Sequence, residues 1–128
     1  MNIVDSSGWI EYIGDASNAD FFESAIIDSD HLFVPTICLY EVFKRVLQEF
    51  GEERALDAMG IMSLGTIIDL DRQTAVHAAH ISNELKLAMA DSIILATARA
   101  CDATLWTQDE HFNGIEGVRY KEKSNYSA

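Results

Sequence analysis

Four acidic residues stand where a chain of alternating strands and helices would place its chemistry: Asp5, Glu41, Asp91 and Asp109. In an open α/β sheet, ligands bind beyond the carboxyl ends of the strands. Asp5 closes the first apolar run, Glu41 lies in the helix after the second strand, Asp91 starts a later helix, and Asp109 follows the fourth strand. Such a topology brings the four together although they are far apart in the chain. Converging carboxylates repel one another unless a cation neutralises them, and hard oxygen donors without a matching Cys/His set suit Mg²⁺ or Mn²⁺ rather than Zn²⁺. One or two such ions, about 4 Å apart where there are two, activate a water and stabilise the leaving oxygen of a phosphodiester. The expected chemistry is hydrolysis of a nucleic-acid backbone. Each acid taken singly also has an ordinary use: Asp5 as a helix cap, Asp91 beside a helix dipole, Asp109 in a turn and Glu41 on a solvated face.

The elements that must position these acids are legible from periodicity and punctuation. Asn2 to Val4 is a short strand, and Asp5-Ser6-Ser7 offers caps to a helix marked by Trp9, Ile10 and Ile13. Ser17 with Asp20 resembles a capping box for a second helix carrying Phe21, Phe22, Ala25 and Ile26, which Asp28-Ser29-Asp30 breaks. A strand is expected at His31 to Val34. Pro35-Thr36 then opens a third helix, with proline in the first turn and threonine as cap; Leu39, Val42, Phe43 and Val46 form its apolar face and Gly51 its end. Glu52 to Met62 reads as another helix, and Thr66 to Leu70 as a short buried strand. A helix runs from Asp71 to Leu85, the next starts at Asp91-Ser92, and strands follow at Ala103 to Trp106 and Val118 to Tyr120. Strands alternating with helices imply right-handed crossovers and a parallel sheet covered on both faces, hence an α/β fold with three layers.

The 128 residues carry 9 Lys plus Arg against 21 Asp plus Glu, a formal charge of −12, with 48% hydrophobic residues. A chain of this size and apolar content fills a core without staples. With no internal repeat, no low-complexity tract and one proline, a single domain over residues 1–128 is expected, ending in a polar tail from about Lys121. No apolar run approaches the roughly 20 residues that span a membrane, and no basic lead precedes an apolar stretch, so a cytoplasmic protein is expected. Cys38 and Cys101 lack metal-binding spacing and read as buried free thiols. The acidic balance excludes nucleic-acid binding by phosphate neutralisation alone. Positive charge must come from a metal, a basic partner or a local cluster of the few cations.

Other residues that could do chemistry are outweighed by simpler uses. His77 and His80 share a helix face, a spacing open to metal ligation, but no third ligand of matching type is near. His111 reads as a turn residue. Lys44 and Arg45, one turn past Glu41, are placed to meet phosphate or to balance nearby acids; Lys86 and Arg99 read as solvated. Trp9, Tyr12, Phe21, Phe22 and Phe33 have the spacing of core residues more than of base-stacking platforms.

Four separated segments carry a family resemblance. Ile3-Val4-Asp5-Ser6-Ser7-Gly8-Trp9-Ile10-Glu11-Tyr12, Tyr40-Glu41-Val42, the run Ala90 to Ala98 around Asp91, and Thr107-Gln108-Asp109-Glu110-His111-Phe112 resemble, in order, the acidic segments of PIN-domain ribonucleases, specifically VapC-type toxins of toxin-antitoxin pairs. The resemblance spans nearly the whole chain and is weakest between about Gly51 and Leu85. It implies a parallel five-stranded sheet, Mg²⁺- or Mn²⁺-dependent cleavage of RNA, a homodimer, and inhibition by a cognate basic antitoxin. It also implies that Asp5, Glu41, Asp91 and Asp109 form the acidic site, with Asp5 and Asp91 as principal metal ligands and Ser6 or Thr107 assisting. Glu41 and Asp109 bind the metal directly, bind through water, or orient the attacking water. The rival from another class is a catalytically silent PIN-like module that captures a basic protein segment. A phosphoacceptor receiver domain does not fit, because paired acids after the first strand and a lysine after a late strand are both missing.

Overall fold

The computed structural model describes residues 1–124. Five strands form one parallel sheet: β1 (Asn2–Val4), β2 (Leu32–Pro35), β3 (Thr66–Ile68), β4 (Thr104–Thr107) and β5 (Val118–Tyr120), in the order β3-β2-β1-β4-β5. Six α-helices connect them: α1 (Ser6–Ile13), α2 (Ala19–Ile26), α3 (Thr36–Phe50), α4 (Glu52–Met62), α5 (Arg72–Leu85) and α6 (Met89–Ala100). The chain steps outward from β1 to β3, and then α5 and α6 carry it back to the other side of β1. The direction of winding therefore reverses between β1 and β4, which opens a crevice at their carboxyl ends.

Both faces of the sheet are covered. Successive strand residues point to opposite faces, yet Ile3, Val4, Leu105 and Trp106 are all buried. This is the three-layer α/β arrangement expected from the sequence. Trp9 and Phe22 are fully enclosed, and Tyr12, Phe21 and Phe33 pack against the same core. Gly8 lets α1 approach α2: a Cβ built there would lie 2.6 Å from a Phe22 ring carbon and 2.7 Å from Val4 Cγ1. Gly51, at φ 91°, closes α3 and opens α4 in a conformation L side chains rarely adopt. Among the described residues no helix is long and apolar enough to cross a membrane.

Several local expectations give way to tertiary contacts. The Ser17–Asp20 capping box does not form: α2 starts at Ala19 behind Asn18, and the Asn18 amide turns inward to donate to Gln108 Oε1 at 2.9 Å and to the Glu122 carbonyl at 3.1 Å. Pro35 ends β2 instead of occupying the first turn of α3, and Thr36 makes no capping bond. β3 is an edge strand, with Thr66 and Ile67 exposed, because only β2 pairs with it. α6 begins at Met89, two residues before the expected start, so Asp91 lies in its first turn. The fourth strand runs one residue later than expected and includes Thr107. Of the two free thiols, Cys38 is fully buried, which pushes it above the usual thiol range, while Cys101 is only half-buried. The polar tail is held at its start, where the Lys121 amide donates to the Thr107 carbonyl; residues 125–128 lie outside the described residues.

Candidate metal centre

Asp5, Glu41, Asp91 and Asp109 line a single cleft of about 380 Å³ at the β1–β4 switch point. Each arrives there by an ordinary local device. Asp5 leaves β1 in extended conformation and caps α1, its Oδ1 accepting the Gly8 amide at 2.8 Å. Asp109 caps the short 3-10 turn Glu110–Phe112, its Oδ1 accepting the His111 amide at 3.0 Å. Asp91 sits in the first turn of α6, where the helix dipole favours an acid. Glu41 lies in α3, and its Oε1 accepts the Ser6 hydroxyl at 2.6 Å. The modest structural reading of Asp5, Asp91 and Asp109 is therefore correct locally, and it coexists with their convergence.

Asp5 is the most enclosed of the four, 3% exposed. Its Oδ2 accepts the Thr107 hydroxyl at 2.6 Å, and the Ser7 hydroxyl reaches both oxygens at 2.8 and 3.0 Å. Thr107 Oγ1 in turn accepts the Asp109 amide at 2.9 Å. One threonine thus ties the acid after β1 to the acid after β4. Strand register places it there, because Val4 pairs with Trp106 and the Asp5 amide donates to the Trp106 carbonyl at 3.1 Å. Burial pushes Asp5 up to about 6 from its ordinary 3.8, against the hydroxyl and amide bonds that favour its ionised form.

Asp91 also rises to about 6, first through desolvation and then through the negative charges of Asp109 and Glu41, with His111 opposing. Ligand atoms of Asp91, Asp109 and His111 all lie within 4.8 Å of one another, and the His111 ring nitrogen Nδ1 is 3.0 Å from Asp109 Oδ1. Two neighbouring carboxylates with one imidazole suit a divalent cation. This grouping includes His111, which the sequence reads as a turn residue, beside two of the four expected acids. The Asp109-x-His111 spacing was the available signal, but only the 3-10 turn folds the ring back onto the acid. Ser7 was likewise passed over as a bonding partner.

The remaining residues sort cleanly. Lys44 and Arg45 line the same cleft on the α3 side. Lys86 and Arg99 are exposed at the ends of α5 and α6. His77 and His80 are exposed on α5 and border a shallow surface groove apart from the acidic cleft.

The sequence matches the PIN domain family over residues 3–118. Among solved structures, it is similar to a toxin-antitoxin complex from Klebsiella pneumoniae at 24% identity and TM-score 0.76, covering 93% of this chain and 96% of that one. DNA-bound VapBC from Salmonella typhimurium aligns at 22% identity and TM-score 0.76, covering 95% and 98%. VapC20 of Mycobacterium tuberculosis, described as a sarcin-ricin loop cleaving toxin, aligns at 12% identity and TM-score 0.76, covering 91% and 95%. No curated protein matches. At these identities the structural likeness establishes the shared fold.

Proposed function

Since this chain belongs to the PIN-domain family, we propose that it is a metal-dependent endoribonuclease and the toxin of a VapBC-type toxin-antitoxin pair. The observation that carries the proposal is the convergence of Asp5, Glu41, Asp91 and Asp109 in one cleft, with Asp91, Asp109 and His111 close enough to share a cation. Mg²⁺ or Mn²⁺ is the ion the donor set suits; Asp91, Asp109 and His111 would hold it, with Asp5 and Glu41 lining the same cleft. Bound there, it would supply Lewis-acid stabilisation of a phosphodiester oxygen and a more acidic water. The protein's own part is positional. Thr107 holds Asp5 and Asp109 in register through its hydroxyl. Ser6 donates to Glu41 Oε1 and orients that carboxylate, which lines the cleft and in this reading either binds the metal or accepts a proton from the attacking water.

The structural relatives described as toxin-antitoxin complexes support a protein partner for this chain too. A net charge of −12 suits a basic antitoxin segment, whose Arg or Lys side chain would take the cation's place among the carboxylates. Homodimerisation and a cytoplasmic location belong to the same proposal. The test is cleavage of total cellular RNA by purified, partner-free protein, with Mg²⁺ or Mn²⁺ against EDTA and with Asp91→Asn as control. Discrete fragments requiring both metal and Asp91 establish the nuclease. A folded, metal-binding protein that cleaves nothing would favour the silent module that captures a basic partner.

A further inference from the structure

A nuclease must hold its polymer as well as cut it, and a chain of charge −12 has few means of doing so. The acidic cleft continues in two directions. On one side it runs along α3, past Tyr40, Lys44 and Gln48. On the other, a second groove that shares Ser7 and Asp109 with the first runs toward β5, past Glu110, Tyr120 and Glu122. The β5 arm sets two glutamates against Lys123 and repels a phosphate chain. The α3 arm has the opposite character.

Tyr40, Lys44 and Gln48 are spaced i, i+4, i+8 and form one stripe along α3. Glu41 of the acidic cluster sits beside the start of this stripe. Tyr40 is 61% exposed and borders the cleft. Lys44 Nζ lies 5.8 Å from the Tyr40 ring centroid. Among the described residues Lys44 makes no ion pair, whereas its neighbour Arg45 is paired with Glu49. An exposed tyrosine with an ammonium over its ring that makes no ion pair, both bordering the acidic cleft, matches the two demands of a single-stranded nucleic acid: a surface for an unpaired base and a cation for its phosphate.

We infer that the Tyr40–Lys44 stripe of α3 is a binding subsite for single-stranded RNA, with a base next to the scissile bond stacked on Tyr40 and the adjoining phosphate held by Lys44. The inference rests on the ribonuclease reading of the acidic cleft and adds where its substrate lies and in what form. A paired base cannot offer its face to Tyr40, so the subsite selects loops and open strands over duplex.

The test separates binding from cutting. Affinity is measured in EDTA, by fluorescence anisotropy, for a labelled unstructured oligoribonucleotide of about 12 nucleotides, within the span such sites cover, and for the same strand annealed to its complement. Tyr40→Ala is expected to weaken single-strand binding about tenfold, while Tyr40→Phe keeps it. Lys44→Ala is expected to reduce the slope of log affinity against log salt by about 0.7, the value of one phosphate contact on a single strand. Both residues are exposed, so the variants keep the fold. Parent-like binding by Tyr40→Ala and Lys44→Ala would overturn the subsite, as would an equal loss on the duplex or a loss of self-association with RNA binding intact. Cleavage with added Mg²⁺ is scored separately. If the parent cleaves while both variants bind normally, the subsite fails and the nuclease stands. If the parent binds through Tyr40 but never cleaves, the nuclease fails and the subsite stands.

Discussion

Thr107 Oγ1 lies 2.6 Å from Asp5 Oδ2 and 2.9 Å from the Asp109 amide nitrogen, donating to the first and accepting from the second. A hydroxyl is the one side-chain group of this size that can do both. From its fully buried position it ties together two acids that follow separate strands and line one cleft. Valine fills the same volume but removes both bonds. Thr107→Val is therefore expected to cost about 2 kcal/mol in urea unfolding, in the range for hydrogen bonds to a charged group, whereas Thr107→Ser stays near the parent.

The pH dependence of the metal-free protein follows from Asp5 and Asp91, both raised from 3.8 to about 6. A carboxyl with a raised folded pKa binds its proton more tightly folded than unfolded, so its contribution is present below the ordinary value and is lost as pH rises through about 6. For the fully enclosed Asp5 the loss amounts to about 3 kcal/mol. In EDTA, the melting temperature is expected to be higher at pH 5 than at pH 7. Saturating Mg²⁺ should raise it at pH 7 more than at pH 5, and Asp91→Asn should flatten the metal-free pH slope. A metal-free protein that melts higher at pH 7 than at pH 5 would contradict the burial of these acids.

His111 is expected to distinguish the two proposed ions. Imidazole adds a nitrogen donor that Mg²⁺ scarcely uses and Mn²⁺ accepts more readily. His111→Ala is expected to weaken Mn²⁺ binding about tenfold, the lower end of the effect of losing a partner at a metal site, and to change Mg²⁺ binding less. Isothermal titration with each ion at one pH reads the difference directly. Equal losses for both ions would place the imidazole outside the coordination sphere.

Gly8 tests how closely α1 must sit. An alanine Cβ would meet the Phe22 ring and Val4 Cγ1 well inside contact distance. Gly8→Ala is expected to destabilise by about 2 kcal/mol through overpacking. It should also disturb the Asp5 cap, whose acceptor is bonded by the Gly8 amide, so metal affinity measured on the folded fraction falls as well.

A buried polar network stiffens the loop that carries Asp109. Gln108 Nε2 donates to Glu11 Oε1 at 3.2 Å, its Oε1 accepts from the Asn18 side-chain amide, and the Asn18 backbone N–H donates to Glu11 Oε2 at 2.9 Å. Asn18 and Gln108 are both buried, so removing one partner leaves the others unsatisfied. Gln108→Leu is expected to cost about 2 kcal/mol by the same measurement, and Gln108→Glu more, because it sets a second carboxylate against Glu11.

Much of the architecture is readable along the chain because it rests on local rules. Short β-branched runs ending in helix-capping residues yield β1 and α1, apolar spacing yields the helices, and alternation of the two yields a parallel sheet with acids at its carboxyl ends. The identities of Asp5, Glu41, Asp91 and Asp109 are visible for the same reason, since each ends a strand or lies within a turn or so of a helix start. What the tertiary structure decided is how those groups meet. Strand register brings Thr107 level with Asp5, the turn after β4 folds His111 back onto Asp109, and Asn18, just before α2, donates across the fold to Gln108. Burial then sets the protonation of Asp5 and Asp91, and exposure leaves Tyr40 open beside the cleft. Local propensity acts over one helical turn, while distance, desolvation and hydrogen-bond partners are properties of segments about a hundred residues apart.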